Sequence, residues 1–495
     1  MTKIVYLDIL SYDILCRRGG RPMFVNRIRE IEALERFWRD QRAHCLPVTG
    51  RRRVGKTFLL EHFAAGKRVV YYRCRLQGTP EQLPRLGEAL AEQSGDAVLR
   101  ANPPAAWESI FLLLERLCAN DRLLLILDEI PYWAARDDAV PSIWQNWWDE
   151  RGRHLNMMLV LCGSAVQMME KLFTGDAPLA GCVTGRVPVS PFDFRAAADM
   201  LSFPDPIDTL TAYGMLGGVP LYLSFFSPTR TLRENLLTSV VSTSARLYVE
   251  PSAVFAAHHE SYSPDGALRV LRAIAQRNHQ WSSILTASRF STATGLAKVM
   301  DRLIGDLGLV ERLLPVTESR ESRTYRTQYR IADNLFLFWF QFIEPNMQHI
   351  EFGDAERVVD AILAGMTEYM GAIFERIALE WTRAASGAGR LPIRLARVGS
   401  WWTGDHDVDV VGLDQRGEVA LTGECKWTNA PLGGDELRSY LDHARALGGV
   451  ARVRPDCVHT LFCKSDFSEE VRRWAAGHPA ILLTPTELLA PFSAA

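Results

Sequence analysis

The sequence predicts an α/β multidomain protein. Short buried strands alternate with helices as far as Cys162, helical periodicity takes over past Pro204, and strands return after Gly353. The 495 residues correspond to roughly three domains. With 47% hydrophobic and 23% charged residues the composition is globular, which excludes disordered, collagen-like and coiled-coil chains. The longest apolar runs, residues 123–127 and 335–340, fall far short of the ~20 needed to span a bilayer, so no membrane role is expected. Asp8 and Asp13 interrupt the N-terminal apolar stretch, which reads as no signal peptide. The net charge of -2 excludes a wholly basic binder, although an acidic face elsewhere can balance a basic one. Nine scattered cysteines without a CxxC pair read as buried thiols of a cytoplasmic protein and argue against zinc.

Residues 1–22 end in a breaker cluster and read as an extension or as the product of an upstream start codon. Residues 23–205 carry the first core. Ile28, Ile31, Leu34, Phe37 and Trp38 have helical spacing. Strands are expected at residues 45–49, 68–73, 123–127 and 157–162, with helices at 57–65 and 109–118, giving a parallel, doubly wound sheet. Residues 206–276 read as a helical lid. Residues 277–350 give short helices and then strands at 309–312 and 325–331 around a polar loop, the outline of a winged helix. Residues 351–495 form a second α/β unit, in the order helix, strands, helix, strand, helix.

Gly50-Arg51-Arg52-Arg53-Val54-Gly55-Lys56-Thr57 matches G-x-x-x-x-G-K-[ST] between a strand and a helix. Gly50 and Gly55 let backbone N–H groups curl around phosphate oxygens at the positive end of the following helix. Lys56 would meet the β- and γ-phosphates, and Thr57 would offer a hydroxyl to Mg²⁺. The expected ligands are therefore ATP and Mg²⁺. The buried strand at 123–127 runs into Asp128-Glu129, where Asp128 would hold Mg²⁺ through water and Glu129 would polarise the attacking water. Gly163-Ser164 ends the next strand. Ser164 either touches the γ-phosphate or water, or caps the following helix. Arg186 is either an arginine finger, in cis or toward a neighbouring subunit, or a surface arginine.

Phe24-Val25-Asn26-Arg27, the phosphate loop, Asp128-Glu129, Gly163-Ser164 and Gly185-Arg186 resemble, in this order, the archaeal-type P-loop ATPases of the AAA+/STAND group. The resemblance spans roughly residues 23–350. It implies a P-loop NTPase parallel sheet and places Phe24 and Arg27 near the adenine. Asn26 stands where the family usually has glycine, and asparagine is the next best residue for a positive φ.

In the winged-helix outline, residues 284–290 and 294–304 would form a helix-turn-helix whose second helix carries Lys298 and Arg302. The wing holds Arg312, Arg320, Arg323, Arg326 and Arg330 against Glu318 and Glu321. Such a wing contacts DNA phosphates, belongs to a winged helix that packs on the ATPase as a regulatory lid, as the resemblance implies, or is a solvated edge protected by charge.

Near the C-terminus, Asp409 lies on an alternating strand, and a second strand carries Glu424 and Lys426. If Gln415 and Arg416 form a two-residue loop, Asp409 pairs with Thr422 and all three side chains share a face. Asp409 and Glu424 would then bind Mg²⁺, with Lys426 acting on the attacking water. The stretch resembles the PD-(D/E)xK restriction-endonuclease-like core, which implies Glu375 as the helical carboxylate. Trp401-Trp402 and Trp427 resemble the uncharacterised C-terminal domain fused to these ATPases. Two functions follow as expectations. One is an ATP-hydrolysing protein with DNA as partner and Mg-dependent DNA cleavage. The other is a nucleotide-dependent, STAND-type switch whose C-terminal domain binds a partner without cutting. The sequence leaves oligomeric state open, a homo-oligomer included.

Overall fold

The computed structural model describes residues 17–18, 21–22, 25–119, 121–256, 264–319 and 326–492. Phe24, most of the proposed extension, and Arg320, Glu321 and Arg323 of the wing lie outside the described residues. The chain divides into two compact units. One ends at Pro191 and takes in Val219–Leu221 and Gly305–Leu307. The other comprises Phe192–Gly218, Tyr222–Ile304 and Gly308–Ala495.

The first unit is built on five parallel strands: β1 (His44–Thr49), β2 (Val69–Arg73), β3 (Leu123–Asp128), β4 (Met157–Gly163) and β5 (Val187–Pro188). Their order is β2-β3-β4-β1-β5. Helices α1 (Ile28–Arg39), α2 (Lys56–Ala64), α3 (Thr79–Ser94), α4 (Trp107–Cys118) and α5 (Val140–Glu150) accompany the sheet. The central strands read as unbroken apolar runs because both faces are covered. Successive side chains go to opposite sides. Leu46, Val48, Leu124, Ile126, Met158 and Val160 join Leu34, Leu59, Leu60 and Phe63 in one core. Leu123, Leu125, Leu127, Leu159 and Leu161 join Leu86, Leu114, Trp133 and Trp144 in the other. This is the parallel sheet that the alternation predicts, of the P-loop NTPase kind that the resemblance implies.

In the second unit, the regular elements among the described residues between Phe194 and Ala275 are all helices. Then come α6 (Trp281–Ala287), α7 (Ala293–Gly305) and an antiparallel hairpin of β6 (Val310–Leu313) and β7 (Gln328–Ile331). The aromatic stripe after Asp333 is core: Leu335, Phe336, Phe338 and Trp339 are buried. Helix α8 (Ala355–Gly387) leads into a separate mixed sheet. Its strands are β8 (Arg397–Thr403), β9 (His406–Leu413), β10 (Val419–Lys426), β11 (Val453–Cys463) and β12 (Ala480–Leu483), in that spatial order. The first three run antiparallel and the last two pair in parallel, with α9 (Gly434–Gly448) joining β10 to β11. Two of these strands escaped the sequence pattern. β8 holds Trp401 and Trp402 but is interrupted by a bulge between Gly399 and Trp401, which destroys its alternation. β12 has only four residues.

The β9–β10 register corrects the expected pairing. Asp414 N–H donates to the Glu418 carbonyl at 3.0 Å, so the loop has three residues and not two. An odd loop alone would turn the side chains of β10 to the wrong face. A bulge restores them: Leu413 pairs with Val419 but Gly412 with Leu421, leaving Ala420 extra. Val410 pairs with Gly423, and the same register sets Asp409 across from Glu424 instead of Thr422.

Candidate functional site

The phosphate loop leaves β1 where Gly50 has no room for a side chain. A Cβ there would stand 2.1 Å from the Val189 carbonyl oxygen. Arg53 and Gly55 take positive φ (72° and 90°), which turns the loop back toward α2. That helix begins at Lys56 with no side chain capping its first turn, so its backbone donors are available to an anion. Lys56 is buried at 6% exposure, and its Nζ donates to the carbonyls of Gly50 (2.7 Å) and Arg51 (3.0 Å). Arg27, expected near the adenine, is also buried. It donates to the Val54 carbonyl at 2.7 Å and pairs with Glu30 at 2.8 Å, so it braces the loop from behind. Asn26 and Arg27 both have positive φ (57° and 65°), as the Asn-for-Gly reading requires at Asn26.

Beside the loop, Asp128 is 2% exposed at the end of β3. Its Oδ2 accepts from Thr57 Oγ1 at 3.2 Å and from the Tyr71 hydroxyl at 2.6 Å. Its Oδ1 accepts from the Glu129 N–H at 3.1 Å. Sequence reasoning missed Tyr71. Its position in β2 opposite Ile126 gives its side chain the same face as Asp128, but strand order is not written in the sequence. Glu129 has φ 56°, and its Oε2 accepts from both the Ser164 N–H and the Ser164 hydroxyl at 3.0 Å. Ser164 thus holds Glu129. Arg186 Nη2 donates to the Phe173 carbonyl at 2.5 Å. Seven of the eight described cysteines are buried and all eight are free. Burial, with the Asp128 charge nearby, pushes the Cys74 and Cys162 thiols well up.

In the C-terminal sheet, Glu375, Asp409, Glu424 and Lys426 lie within electrostatic reach of one another. Asp409 Oδ2 accepts from the Cys425 N–H at 2.9 Å, and Lys426 Nζ pairs with Glu424 Oε1 at 2.7 Å. Burial, then the charges of Asp407 and Glu424, push the Glu375 carboxyl up to about 7 against the opposing pull of Arg330 and Lys426. Burial and the Glu375 and Glu424 charges hold the Asp409 carboxyl well above the usual range. Burial raises Glu424 although Lys426 opposes it, and Glu424 in turn raises Lys426 against burial. His443, which the sequence did not flag, sits 3.3 Å from Asp407 Oδ1.

Among the described residues no group of three or more His, Cys, Asp or Glu side chains is arranged to hold a metal ion. A backbone amide donates to one oxygen of Asp409, and an ammonium pairs with one of Glu424. Two of the wing arginines are paired. Arg330 pairs with Glu311 at 2.5 Å and Arg326 with Glu318. Lys298 on α7 is exposed and Arg302 half-buried.

Residues 24–226 match a family described as an ATPase domain predominantly from Archaea, and residues 339–439 match one described as "Archaea bacterial proteins of unknown function". An uncharacterized protein of Methanocaldococcus jannaschii is 27% identical over 409 residues, 82% of this chain and 88% of that protein. A short uncharacterized ATP-binding protein of the same organism is 48% identical over 50 residues, 10% of this chain and 85% of that protein. Two solved structures are similar in fold. The Walker-type ATPase of Pyrococcus abyssi (TM-score 0.49, 20% identity) aligns with 67% of this chain and 99% of its own. The ORC2 protein of Aeropyrum pernix in its ADPNP–ADP complexes (TM-score 0.44, 16% identity) aligns with 69% of this chain and 96% of its own. No helix among the described residues is long and apolar enough to cross a membrane. Residues 24–226 are thus similar to an ATPase domain found predominantly in Archaea, and residues 339–439 to a domain whose family is described as of unknown function.

Proposed function

We propose that this protein binds ATP with Mg²⁺ at the phosphate loop and hydrolyses it. The observation that carries this reading is the contact of Thr57 Oγ1 with Asp128 Oδ2 beside Lys56 and the bare first turn of α2. A hydroxyl and a carboxylate 3.2 Å apart are hard oxygen donors suited to Mg²⁺, which keeps most of its waters and takes one or two protein ligands. When bound, the ion neutralises charge on the phosphates. Lys56 exchanges its loop carbonyls for phosphate oxygens. Glu129, its carboxylate fixed by Ser164, orients the attacking water. Arg186 receives no step, because its guanidinium is directed to the Phe173 carbonyl. A Glu129→Gln variant should bind ATP yet hardly turn it over, and an unchanged hydrolysis rate would refute the role of Glu129.

A second reading concerns the C-terminal domain. The gathering of Glu375, Asp409, Glu424 and Lys426 supports DNA cleavage, and the hairpin after two short helices supports DNA contact through a winged helix. The residues do not fit a metal-holding set, so no step is routed through one. That misfit favours a nucleotide-dependent switch whose C-terminal domain binds without cutting. Mg²⁺-dependent nicking of DNA that Asp409→Ala abolishes, with ATP hydrolysis intact, would restore the nuclease reading.

A further inference from the structure

A cavity of about 840 Å³ lies in the second unit. Its walls are the β6–β7 hairpin with the segment that follows β6, the C-terminal end of α8, and the edge strand β8. These walls are tied together. Val316 N–H donates to the Ser400 carbonyl at 2.9 Å, Arg397 Nη1 to the Glu318 carbonyl at 3.1 Å, and Trp402 Nε1 to the Arg326 carbonyl at 2.9 Å. The space is therefore part of the fold and not a gap between loops.

Five arginines line it, Arg312, Arg330, Arg383, Arg394 and Arg397, against two carboxylates, Glu311 and Glu318. Both glutamates are already paired, Glu311 with Arg330 and Glu318 with Arg326. Among the described residues Arg383, Arg394 and Arg397 form no ion pair. Arg383 reaches only the Val398 carbonyl and Arg397 only that of Glu318, which leaves most of their N–H donors for another acceptor. Guanidiniums sharing one cavity repel each other, and the arrangement is favourable when an anion joins them. Phosphate and carboxylate are the anions whose geometry a planar fork matches.

The aromatic wall narrows the choice. Trp402 is half-buried, with its N–H committed to the Arg326 carbonyl and its ring at the cavity. The same ring also lines a smaller cavity of about 430 Å³, whose other walls include Gln280, Gln328 and Asp405. Guanidiniums for phosphate, an indole face for stacking and amide and carboxylate groups for base edges together suit one ligand chemistry. The larger volume is also that of a nucleotide-sized site.

We propose that this cavity between the hairpin and β8 is a second phosphate site, which takes the phosphates of a nucleotide, either free or at the end of a nucleic-acid strand. It does not depend on ATP hydrolysis at the loop or on cleavage by the C-terminal carboxylates. The test uses the full chain carrying Lys56→Ala, so that the phosphate loop contributes no binding. A fluorescent 5′-phosphorylated dinucleotide and a labelled long single strand are titrated separately by anisotropy. In that background Arg394→Glu should weaken binding at least about tenfold. For the long strand it should also lower the dependence of log K on log salt by about 0.7. Arg394 is exposed and without an ion pair among the described residues, so thermal stability should be unchanged, and Arg394→Gln provides the milder variant should the charge reversal unfold the chain. Dinucleotide binding that depends on Arg394 identifies a free nucleotide as sufficient. Dependence seen with the long strand alone identifies a strand end. Binding of both probes unaffected by either Arg394 variant overturns the site. Displacement of the dinucleotide by inorganic pyrophosphate as readily as by unlabelled dinucleotide overturns its assignment to nucleotides.

Discussion

Replacing Glu375 with glutamine should stabilise the C-terminal sheet at alkaline pH and leave it nearly unchanged in acid. The carboxyl stands at about 7, against an ordinary value of 4.5, because burial and the neighbouring carboxylates of Asp407 and Glu424 disfavour its charge. A raised acid binds its proton more tightly in the folded chain than in the unfolded one. Its contribution is therefore intact below about pH 4.5 and is lost as pH rises through about 7. The difference of about 2.5 units corresponds to about 3 kcal/mol, most of it lost between pH 5 and pH 8. Glutamine keeps the shape and never ionises. Any packing or hydrogen-bonding difference it introduces is the same at both pH values, so the comparison across pH isolates the charge. Two units in one chain make a single global unfolding energy ill-defined. Native-state amide exchange in β9 and β10, corrected for intrinsic rates at about pH 5 and about pH 8, reads the local opening energy instead. The variant should gain about 2.5 kcal/mol over wild type between the two conditions. An equal offset at both pH values would refute the burial argument. So would a variant less protected than wild type in alkali.

Two further outcomes concern the phosphate loop. Tyr71→Phe removes the shorter of the two side-chain hydrogen bonds on Asp128 Oδ2, and ATP hydrolysis should then need about two- to tenfold more Mg²⁺ for half-saturation. An unchanged Mg²⁺ dependence would mean that Thr57 alone sets the carboxylate. Gly50→Ala forces a methyl group to 2.1 Å from the Val189 carbonyl oxygen, a contact that only backbone movement relieves. ATP binding by calorimetry should be lost, with unfolding about 1–3 kcal/mol easier; wild-type affinity would show that the loop tolerates the shift.

What the sequence revealed depended on how far apart the interacting residues lie along the chain. The phosphate loop is contiguous, and its residue types state their own backbone requirements: a glycine against Val189, another at φ 90°. The strands of the parallel sheet were legible for a similar reason, since burial on both faces leaves an apolar run that needs no partner to be recognised. Tyr71 and Ser164 acquire their roles only from strand order, which sets β2 and β4 on either side of β3, with Asp128 and Glu129 at its end. Their residue types carry no sign of it. The wing arginines mislead in the opposite direction. Counted along the chain they look like a surplus of charge, yet Arg330 and Arg326 are consumed by Glu311 and Glu318. The guanidiniums that form no ion pair among the described residues come instead from α8 and the approach to β8.

The β9–β10 hairpin makes the sharper case, because there a wrong premise led to a right face. A two-residue loop was expected and three residues are found, which by itself would have sent Glu424 and Lys426 to the opposite side from Asp409. The extra residue at Ala420 cancels that error. Parity is the quantity the fold preserves: loop and bulge each change it, and together they leave it as it was. A shared face, however, is a weaker condition than a shared ligand. Facing side chains still divide their oxygens among nearby donors, and here the Cys425 amide takes one oxygen of Asp409 and the Lys426 ammonium one of Glu424. The charge left over is not neutralised locally, and it surfaces as a buried Glu375 that holds its proton close to neutral pH. A proton is thus the smallest cation that settles this cluster.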